Sequence, residues 1–267
     1  MSARRSIFIT GGGSGIGRAV AIYFAERGWF VGIADISEHG MADTLGLIEG
    51  GFKYSHKLDV RDRKAWDVAL NSFSTAAGGR IDAVFNNAGI AHGGPLAEQA
   101  ENEIEAVLDV DLKGVIFGAQ AAYPHLKKTA PGSVLINTAS LAGIIGSPNL
   151  SVYCAAKWAV RGLTHSLDAE WASDGIKVTS LCPGFIDTPI IEQVSPASNR
   201  TVKESLIEAG VEVQPVSEVP KVVWDAVHGD KLDYTVGKTA GRLLRLSRWM
   251  PGKVRKEMRA RGIGGGD

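Results

Sequence analysis

A serine, a tyrosine and a lysine stand close together in the segment SLAGIIGSPNLSVYCAAK at residues 140–157. Tyr153 and Lys157 are one helical turn apart, so on a helix their side chains share a face. An ammonium beside a phenol stabilises the phenolate and would lower the tyrosine pKa from about 10 towards neutral pH. Ser140 could offer its hydroxyl to a carbonyl oxygen held between them. The three residues therefore form a candidate proton-transfer centre that needs a cofactor.

A glycine-rich turn near the start of the chain is typical of a dinucleotide site. The apolar run Ser6–Thr10 leads into GGGSGIG at residues 11–17, and a helical pattern follows. Glycines let backbone N–H groups approach a pyrophosphate, and a helix N-terminus adds partial positive charge. The spacing departs from the common G-x-G-x-x-G pattern, but a second apolar run ends on Asp35 about twenty residues later. That carboxylate can bind both ribose hydroxyls and repels a 2′-phosphate, which favours NAD over NADP.

Strand and helix patterns alternate along the rest of the chain. Further helices are expected at 37–48, 61–77, 98–123, 151–173 and 217–227, and further strands at 52–58, 83–85, 133–138, 177–182 and 233–236. The sequence predicts one α/β domain over residues 1–267, a three-layer doubly wound parallel sheet of about seven strands with helices on both faces. Its ligand site should lie beyond the carboxyl ends of the strands, where polar or small residues recur: Gly11–Gly17, Asp35, Asp59, Asn87, Ser140 and Pro183.

Composition narrows the possible functions. The formal net charge of the 267 residues is zero, so nothing global indicates a nucleic-acid partner. Cys154 and Cys182 are too few for a disulfide framework and lack the spacing of metal ligands, and no histidine is assigned to a metal. The N-terminal segment does not resemble a signal peptide, and no apolar run is long enough to span a membrane. A cytoplasmic protein is expected.

Two segments fall outside the regular pattern. Residues 188–210 have no clear period and are interpreted as a cover over the substrate pocket, since excluding water suits hydride chemistry. Residues 239–267 form a basic helical tail; from Lys238 onward the chain has nine Lys/Arg and two acids. A solvated basic face is the simplest interpretation of this tail. Contact with a membrane surface or a partner helix is the alternative.

The motifs together resemble those of the short-chain dehydrogenase/reductase family. They are TGGGSGIG at 10–17, NNAG at 86–89, Ser140, YxxxK at Tyr153–Lys157, and PG at 183–184 followed by Thr188. The resemblance extends from Ser6 to about Val236. It implies a Rossmann-like fold, reversible hydride transfer between a nicotinamide and an alcohol or carbonyl, and a homodimer or homotetramer.

The resemblance also implies roles for individual residues. Tyr153 would be the general acid/base, Lys157 would bind the nicotinamide ribose and lower the tyrosine pKa, and Ser140 would orient the substrate oxygen. Asp59 and Val60 would meet the adenine, and Thr188 the nicotinamide end. The full cofactor set expected is Gly11, Ser14, Gly15, Ile16, Gly17, Asp35, Ile36, Asp59, Val60, Asn87, Ala88, Gly89, Tyr153, Lys157, Pro183, Gly184, Ile186 and Thr188.

One position departs from the family pattern. The family usually carries an asparagine, in a segment like N-x-x-G, that holds a water of the proton relay. Here the segment is DLKG and Asp111 takes that place. A carboxylate accepts a hydrogen bond from water but cannot donate one unless it is protonated. Asp111 is therefore included in the catalytic set, with either a normal or an altered relay.

The substrate and two alternative functions stay open at this point. Apolar residues flank Ser140 and predict a hydrophobic secondary alcohol or ketone: Ala142, Ile145, Leu150 and Phe185. A non-catalytic NAD-binding sensor or scaffold is the main alternative, and Asp111 is the feature that favours it. A sugar epimerase or dehydratase is the other, although such relatives are usually longer and have a distinct substrate domain.

Overall fold

A parallel sheet of seven strands forms the centre of the molecule. The computed structural model describes residues 4–192 and 200–261. Strands occur, in chain order, at β1 (Ser6–Thr10), β2 (Phe30–Asp35), β3 (Lys53–Lys57), β4 (Ala83–Asn86), β5 (Ser133–Thr138), β6 (Ile176–Pro183), β7 (Phe185–Ile186), β8 (Val213–Gln214) and β9 (Asp233–Val236). The sheet order is β3-β2-β1-β4-β5-β6-β9. β7 and β8 pair separately, and the sequence analysis did not foresee that pair.

Helices cover both faces of the sheet. They are α1 (Gly15–Glu26), α2 (Glu38–Leu47), α3 (Arg63–Ala76), α4 (Glu101–Leu108), α5 (Gly114–Thr129), α6 (Ser151–Trp171), α7 (Val202–Glu208), α8 (Val219–His228), α9 (Lys238–Trp249) and α10 (Pro251–Arg261). One apolar cluster joins α1, α2 and α8 to the sheet, and a second joins α3, α5 and α6 to it. The prediction of a three-layer doubly wound sheet is confirmed.

The first strand shows how sequence pattern becomes a layered core. Side chains of a strand alternate between its two faces, so the middle of a strand buried on both faces is apolar at successive positions. Ile7 and Ile9 pack with α1 and α8, whereas Phe8 packs with Trp66 and Phe73 of α3. This alternation explains why the short run of residues 6–10 is apolar without the period of a surface strand.

The helix expected at residues 98–123 is not continuous. A five-residue π-helical segment, Asp109–Lys113, separates α4 from α5. The next residue, Gly114, lies so close to Val60 that a Cβ there would stand 2.8 Å from Val60 Cγ2. A π segment accommodates one extra residue per turn and often marks a functional site. Here it places Asp111 on the buried side of the helix.

The C-terminal helices pack against the body of the protein. Leu243 of α9 and Val254 and Met258 of α10 are buried in one cluster with Ile145 and Cys182. Only part of the basic tail is therefore a solvated face. Among the described residues, no helix combines the length and apolar character needed to cross a bilayer. Residues 193–199 of the expected cover and 262–267 of the expected tail lie outside the described part of the chain.

Candidate active site

The glycine turn between β1 and α1 forms a shallow cradle at the edge of the sheet. Gly11 and Gly15 have φ values of +67° and +48°, a backbone conformation that favours glycine. A Cβ on Gly11 would stand 2.9 Å from the Asn87 side chain, and one on Gly15 would stand 3.2 Å from Thr188 Cγ2. Gly17 is packed even more tightly against the Gly11 carbonyl. The turn is therefore packed closely against the segments after β4 and β6.

Thr10 connects the ends of two adjacent strands. Its Oγ1 accepts hydrogen bonds from the backbone N–H groups of Asn87 (3.0 Å) and Ala88 (3.1 Å). The Asn87 side-chain amide donates to the Thr10 carbonyl at 2.9 Å. These bonds fix the NNAG segment against the glycine turn.

Asp35 lies at the end of β2 and faces the glycine turn. Its carboxylate accepts hydrogen bonds from the backbone N–H groups of Gly13 and Ser37, both at 2.9 Å. Each carboxylate oxygen has further acceptor capacity, so a ribose diol can still bind there. The next side chain, Ile36, is 68% exposed at the same edge.

The Asp59 carboxylate, which was expected to meet the adenine, is already paired with a side chain of its own segment after β3. Arg61 forms hydrogen bonds and an ion pair with Asp59 at distances down to 2.7 Å, and this interaction lowers the pKa of Asp59. Val60 is buried, and its carbonyl accepts the indole N–H of Trp66 at 3.0 Å. A ligand contact at this edge would therefore use the backbone or the apolar surface rather than a free Asp59 carboxylate.

Ser140, Tyr153 and Lys157 come together beyond the end of β5. Ser140 begins a short 3₁₀ turn and accepts the backbone N–H of Ala142 at 3.1 Å. Tyr153 is in the first turn of α6 and is partly buried, and interaction with the Ser140 side chain acts to lower its pKa. The Lys157 ammonium is buried, donates to the Thr138 carbonyl at 3.0 Å and lies 5.5 Å from the Tyr153 ring centroid.

Asp111 forms a buried ion pair with Lys157. The Asp111 Oδ2 atom is 3.1 Å from Lys157 Nζ, and its Oδ1 accepts the Ile90 N–H at 2.8 Å. Burial raises the pKa of Asp111, an effect that the Lys157 charge only partly opposes. Burial is the largest influence on Lys157 and would lower its pKa, but the charges of Asp111 and Tyr153 and the hydrogen bond with Asp111 together outweigh burial and raise it. The sequence analysis did not foresee that these two side chains are direct partners.

The expectation of a lowered tyrosine pKa is wrong for this structure. Burial is the largest influence and raises the pKa of Tyr153 above 10. Lys157 and the hydrogen bond with Ser140 act in the opposite direction, but the negative charge of Asp111 adds to the effect of burial. The ammonium field that favours the phenolate is partly compensated by the nearby carboxylate.

An apolar cavity begins next to the Ser140 turn. Its empty volume is about 510 Å³ including the open mouth, and its wall includes Ile145 and Phe185 from the expected substrate set. Ala142 and Leu150 do not line it. The sequence analysis missed the lining residues supplied from beyond residue 210: Val211, Glu212, Gln214, Val236, Gly237, Thr239, Ala240, Leu243 and Met258. The spacing of apolar residues among the tail arginines was the available signal.

The remaining expected cofactor residues lie around the same edge of the sheet. A Cβ on Gly89 would stand 3.4 Å from both Asp111 carboxylate oxygens and 3.5 Å from Lys157 Nζ. Pro183 ends β6, and Ile186 lies in β7. The others occupy the glycine turn or the loop after β6: Ser14, Ile16, Gly184 and Thr188.

Comparison with known proteins places this geometry in a family. The family described as short chain dehydrogenase matches residues 5–199. The 3-oxoacyl-[acyl-carrier-protein] reductase FabG of Thermotoga maritima is 34% identical over 235 residues, covering 87% of this chain and 94% of the relative. The L-2,3-butanediol dehydrogenase of Corynebacterium glutamicum is 37% identical over 190 residues, which cover 70% of this chain and 73% of the relative. A Burkholderia phymatum short chain dehydrogenase/reductase crystallised with NAD shares the fold at 24% identity and a TM-score of 0.83, with 96% of each chain covered.

Proposed function

The chain belongs to the short-chain dehydrogenase/reductase family and is an oxidoreductase, and from this premise we propose that it transfers a hydride between NAD(H) and an apolar secondary alcohol or ketone. The observation that carries the proposal is the assembly of Ser140, Tyr153 and Lys157 at the end of β5, on the sheet edge that also holds the glycine turn. Hydride transfer to a carbonyl needs a proton for the developing alkoxide, and Tyr153 is placed to supply it.

The residues of the chain fit a dinucleotide at this edge. Gly11 and Gly15 let the turn pack directly against Asn87 and Thr188, and the helix N-terminus behind the turn favours a pyrophosphate. The buried Thr138 hydroxyl has no hydrogen-bond partner among the described residues, and it lies on the strand end that holds Lys157. Asp35 supports NAD over NADP because its carboxylate would repel a 2′-phosphate.

Each side chain of the centre then has a distinct role. A bound nicotinamide supplies or accepts the hydride. Tyr153 donates a proton to the substrate oxygen during reduction and accepts it during oxidation. Ser140 holds that oxygen by a hydrogen bond, and Lys157, fixed by Thr138 and Asp111, positions the ribose end of the cofactor. Because burial and Asp111 raise the pKa of Tyr153, its phenol is held as a proton donor for the substrate oxygen.

The cavity beside Ser140 supports an apolar substrate. Its wall carries aliphatic and aromatic side chains from four separate segments, among them Leu141, Phe185, Leu243 and Met258. Pockets of this kind bind by burying apolar surface, while a few polar groups fix orientation. Glu212 and Gln214 supply polar atoms at the wall. The substrate class proposed is therefore a ketone or secondary alcohol with a hydrophobic substituent.

A substrate panel followed by NADH absorbance at 340 nm tests the proposal. Wild type should turn over at least one apolar ketone, and Tyr153→Phe should lose activity by roughly 10²–10⁴-fold, as expected for removal of a general acid. Tyr54→Phe is the matched control, because Tyr54 is partly buried and hydrogen-bonds His56 away from the site. Equal turnover by wild type and Tyr153→Phe on every active substrate would falsify the mechanism. Parallel titration with NAD and NADP tests the role of Asp35, and tighter binding of NADP would contradict it.

A non-catalytic NAD-binding sensor is the second candidate. The Asp111–Lys157 pair and the raised pKa of Tyr153 favour it, because both oppose formation of the phenolate. This candidate predicts stoichiometric NADH binding by calorimetry with no turnover across the panel. Assembly into a homodimer or homotetramer and a cytoplasmic location also stay predictions; sedimentation velocity tests the first.

A further inference from the structure

The charges of the protein are strongly segregated. Twenty basic and twenty-seven acidic residues precede Lys238, whereas nine basic and two acidic residues follow from there to the C-terminus. The described part of the tail exposes seven cationic side chains: Arg242, Arg245, Arg248, Lys253, Arg255, Lys256 and Arg259. Glu257 lies among them and pairs with Arg242 at 2.7 Å. The chain is neutral overall but has one strongly positive end.

An apolar tip projects from the same end. Trp249 is 79% exposed, the highest value for a large apolar side chain among the described residues, and Met250 is 48% exposed. Both stand at the junction of α9 and α10. Hydrogen bonds hold this junction, since the Met250 N–H donates to the Leu246 carbonyl at 2.7 Å and the Lys253 N–H to the Met250 carbonyl at 3.0 Å. The backbone at the tip is thus held in place.

The opposite side of α9 and α10 is buried against the body of the protein. Leu243, Val254 and Met258 are buried against the body. The helices therefore cannot turn their main apolar face to a partner without unpacking. What they present outward is a cationic surface with a tryptophan and a methionine at its tip, defined here as the tail surface: Arg242, Arg245, Arg248, Trp249, Met250, Lys253, Arg255, Lys256 and Arg259.

We propose that the tail surface docks on an anionic phospholipid membrane. Tryptophan favours the boundary between water and lipid, where its ring is apolar and its N–H can still find a partner. Anionic headgroups attract Lys and Arg side chains, and each cation near the surface strengthens membrane binding. The acidic body is repelled by the same headgroups, so the segregated charge orients the molecule with its tail towards the lipid.

A lipid surface explains the tail surface better than nucleic acid does. A phosphate backbone would be recognised by the arginines and lysines alone. It offers no apolar layer for the Trp249 and Met250 tip, whereas the headgroup region of a bilayer does. This inference is independent of the proposed enzymatic function, because it uses no residue of the Ser140, Tyr153 and Lys157 centre.

Vesicle flotation of the full chain tests the proposal. We expect binding to vesicles of 70% phosphatidylcholine and 30% phosphatidylglycerol at low salt, little binding to pure phosphatidylcholine, and release near 0.5 M salt because the charges are screened. The double variant Arg245→Gln/Arg248→Gln should weaken binding by at least tenfold, at roughly fivefold per cation. Lys64→Gln/Lys128→Gln removes the same charge from exposed positions on the body and should bind as wild type does.

Tryptophan fluorescence provides the second measurement. The chain has six tryptophans, so the signal of Trp249 is the difference between wild type and Trp249→Phe. That difference spectrum should shift to shorter wavelength when anionic vesicles are added. Each of several results would overturn the proposal: equal binding to both vesicle types, no binding at low salt, equal loss in the body variant, tighter binding to DNA than to vesicles, or self-association that shields Trp249 without lipid.

Discussion

Replacing Asp111 by Asn should move the pH dependence of turnover towards lower pH. In wild type the Asp111 carboxylate compensates the Lys157 ammonium at 3.1 Å and adds to the burial that keeps the Tyr153 phenol protonated. The amide is nearly the same size and can still accept the Ile90 N–H, but it carries no charge. As long as Lys157 keeps its proton, its field then acts on the phenol without that opposition, so the phenolate becomes more favourable.

The size of the effect follows from the geometry. The Lys157 ammonium lies 3.1 Å from the Asp111 carboxylate and 5.5 Å from the Tyr153 ring centroid. The Asp111 Oδ2 atom therefore lies no more than about 9 Å from the Tyr153 ring centroid, and two unit charges at that separation in a medium of effective dielectric constant about 20 interact by about 2 kcal/mol. Loss of that repulsion would change the ratio of phenolate to phenol by about 30-fold at a given pH.

The assay is kcat/KM for an active ketone and its alcohol between pH 5 and 10. In Asp111→Asn, the loss of reductase activity at high pH and the gain of dehydrogenase activity should both occur at lower pH than in wild type. Asp109→Asn is the matched control, because it removes the same charge from the same π segment at a partly exposed site paired with Lys113. An unchanged profile in Asp111→Asn, or a shift to higher pH, would refute the electrostatic reasoning.

Three further substitutions test other parts of the structure. Burial opposes ionisation of Asp233, but hydrogen bonds from Arg161 and two other side chains lower its pKa from 3.8 to about 2. The stability from this shift, about 2 kcal/mol, is present above pH 4 and lost as the pH falls towards 2. In urea unfolding, Asp233→Asn should therefore have a lower free energy of unfolding at pH 7, and that free energy should depend less on pH in the acid range. Asp35→Ala should lower the ratio of the NADP to the NAD dissociation constant by at least tenfold in calorimetric titrations. Met258→Ala should improve kcat/KM for bulkier ketones and lower the free energy of unfolding by about 2–4 kcal/mol. Val254 belongs to the same cluster but does not line the cavity, so Val254→Ala should show the stability loss without the change in kcat/KM.

Local sequence patterns were sufficient to predict the sheet and the position of the candidate catalytic side chains. The spacing of Tyr153 and Lys157 predicts a shared helix face, and α6 begins at Ser151 as that requires. Asp35 follows an apolar run and lies at the end of β2. Such predictions succeed because strand ends and helix starts are determined by short stretches of chain, and parallel strands bring their carboxyl ends to one edge.

The sign of the tyrosine pKa shift could not be predicted in the same way. It depends on a contact between Asp111 and Lys157, which are far apart in sequence and meet only because a π segment turns the aspartate inward. The packing of the tail against the body could not be predicted from local sequence patterns either. Its buried residues Leu243 and Met258 are separated by the helix break at Pro251, and their partners come from the middle of the chain. Long-range packing of this kind leaves little trace in local periodicity.

The buried pair connects stability and reactivity through one residue. A lysine buried without a countercharge tends to lose its proton, because burial disfavours the charged form. Asp111 prevents this and raises the pKa of Lys157, so it stabilises the fold around the ammonium while weakening the ammonium's effect on Tyr153. Removing one partner of a buried ion pair commonly destabilises a protein by about 3–5 kcal/mol, and an amide that keeps the hydrogen bonds should reduce that loss. Asp111→Asn should therefore lower the free energy of unfolding while making the phenolate easier to form. If the free energy of unfolding rose, or if neither quantity changed, the aspartate would not be acting through Lys157.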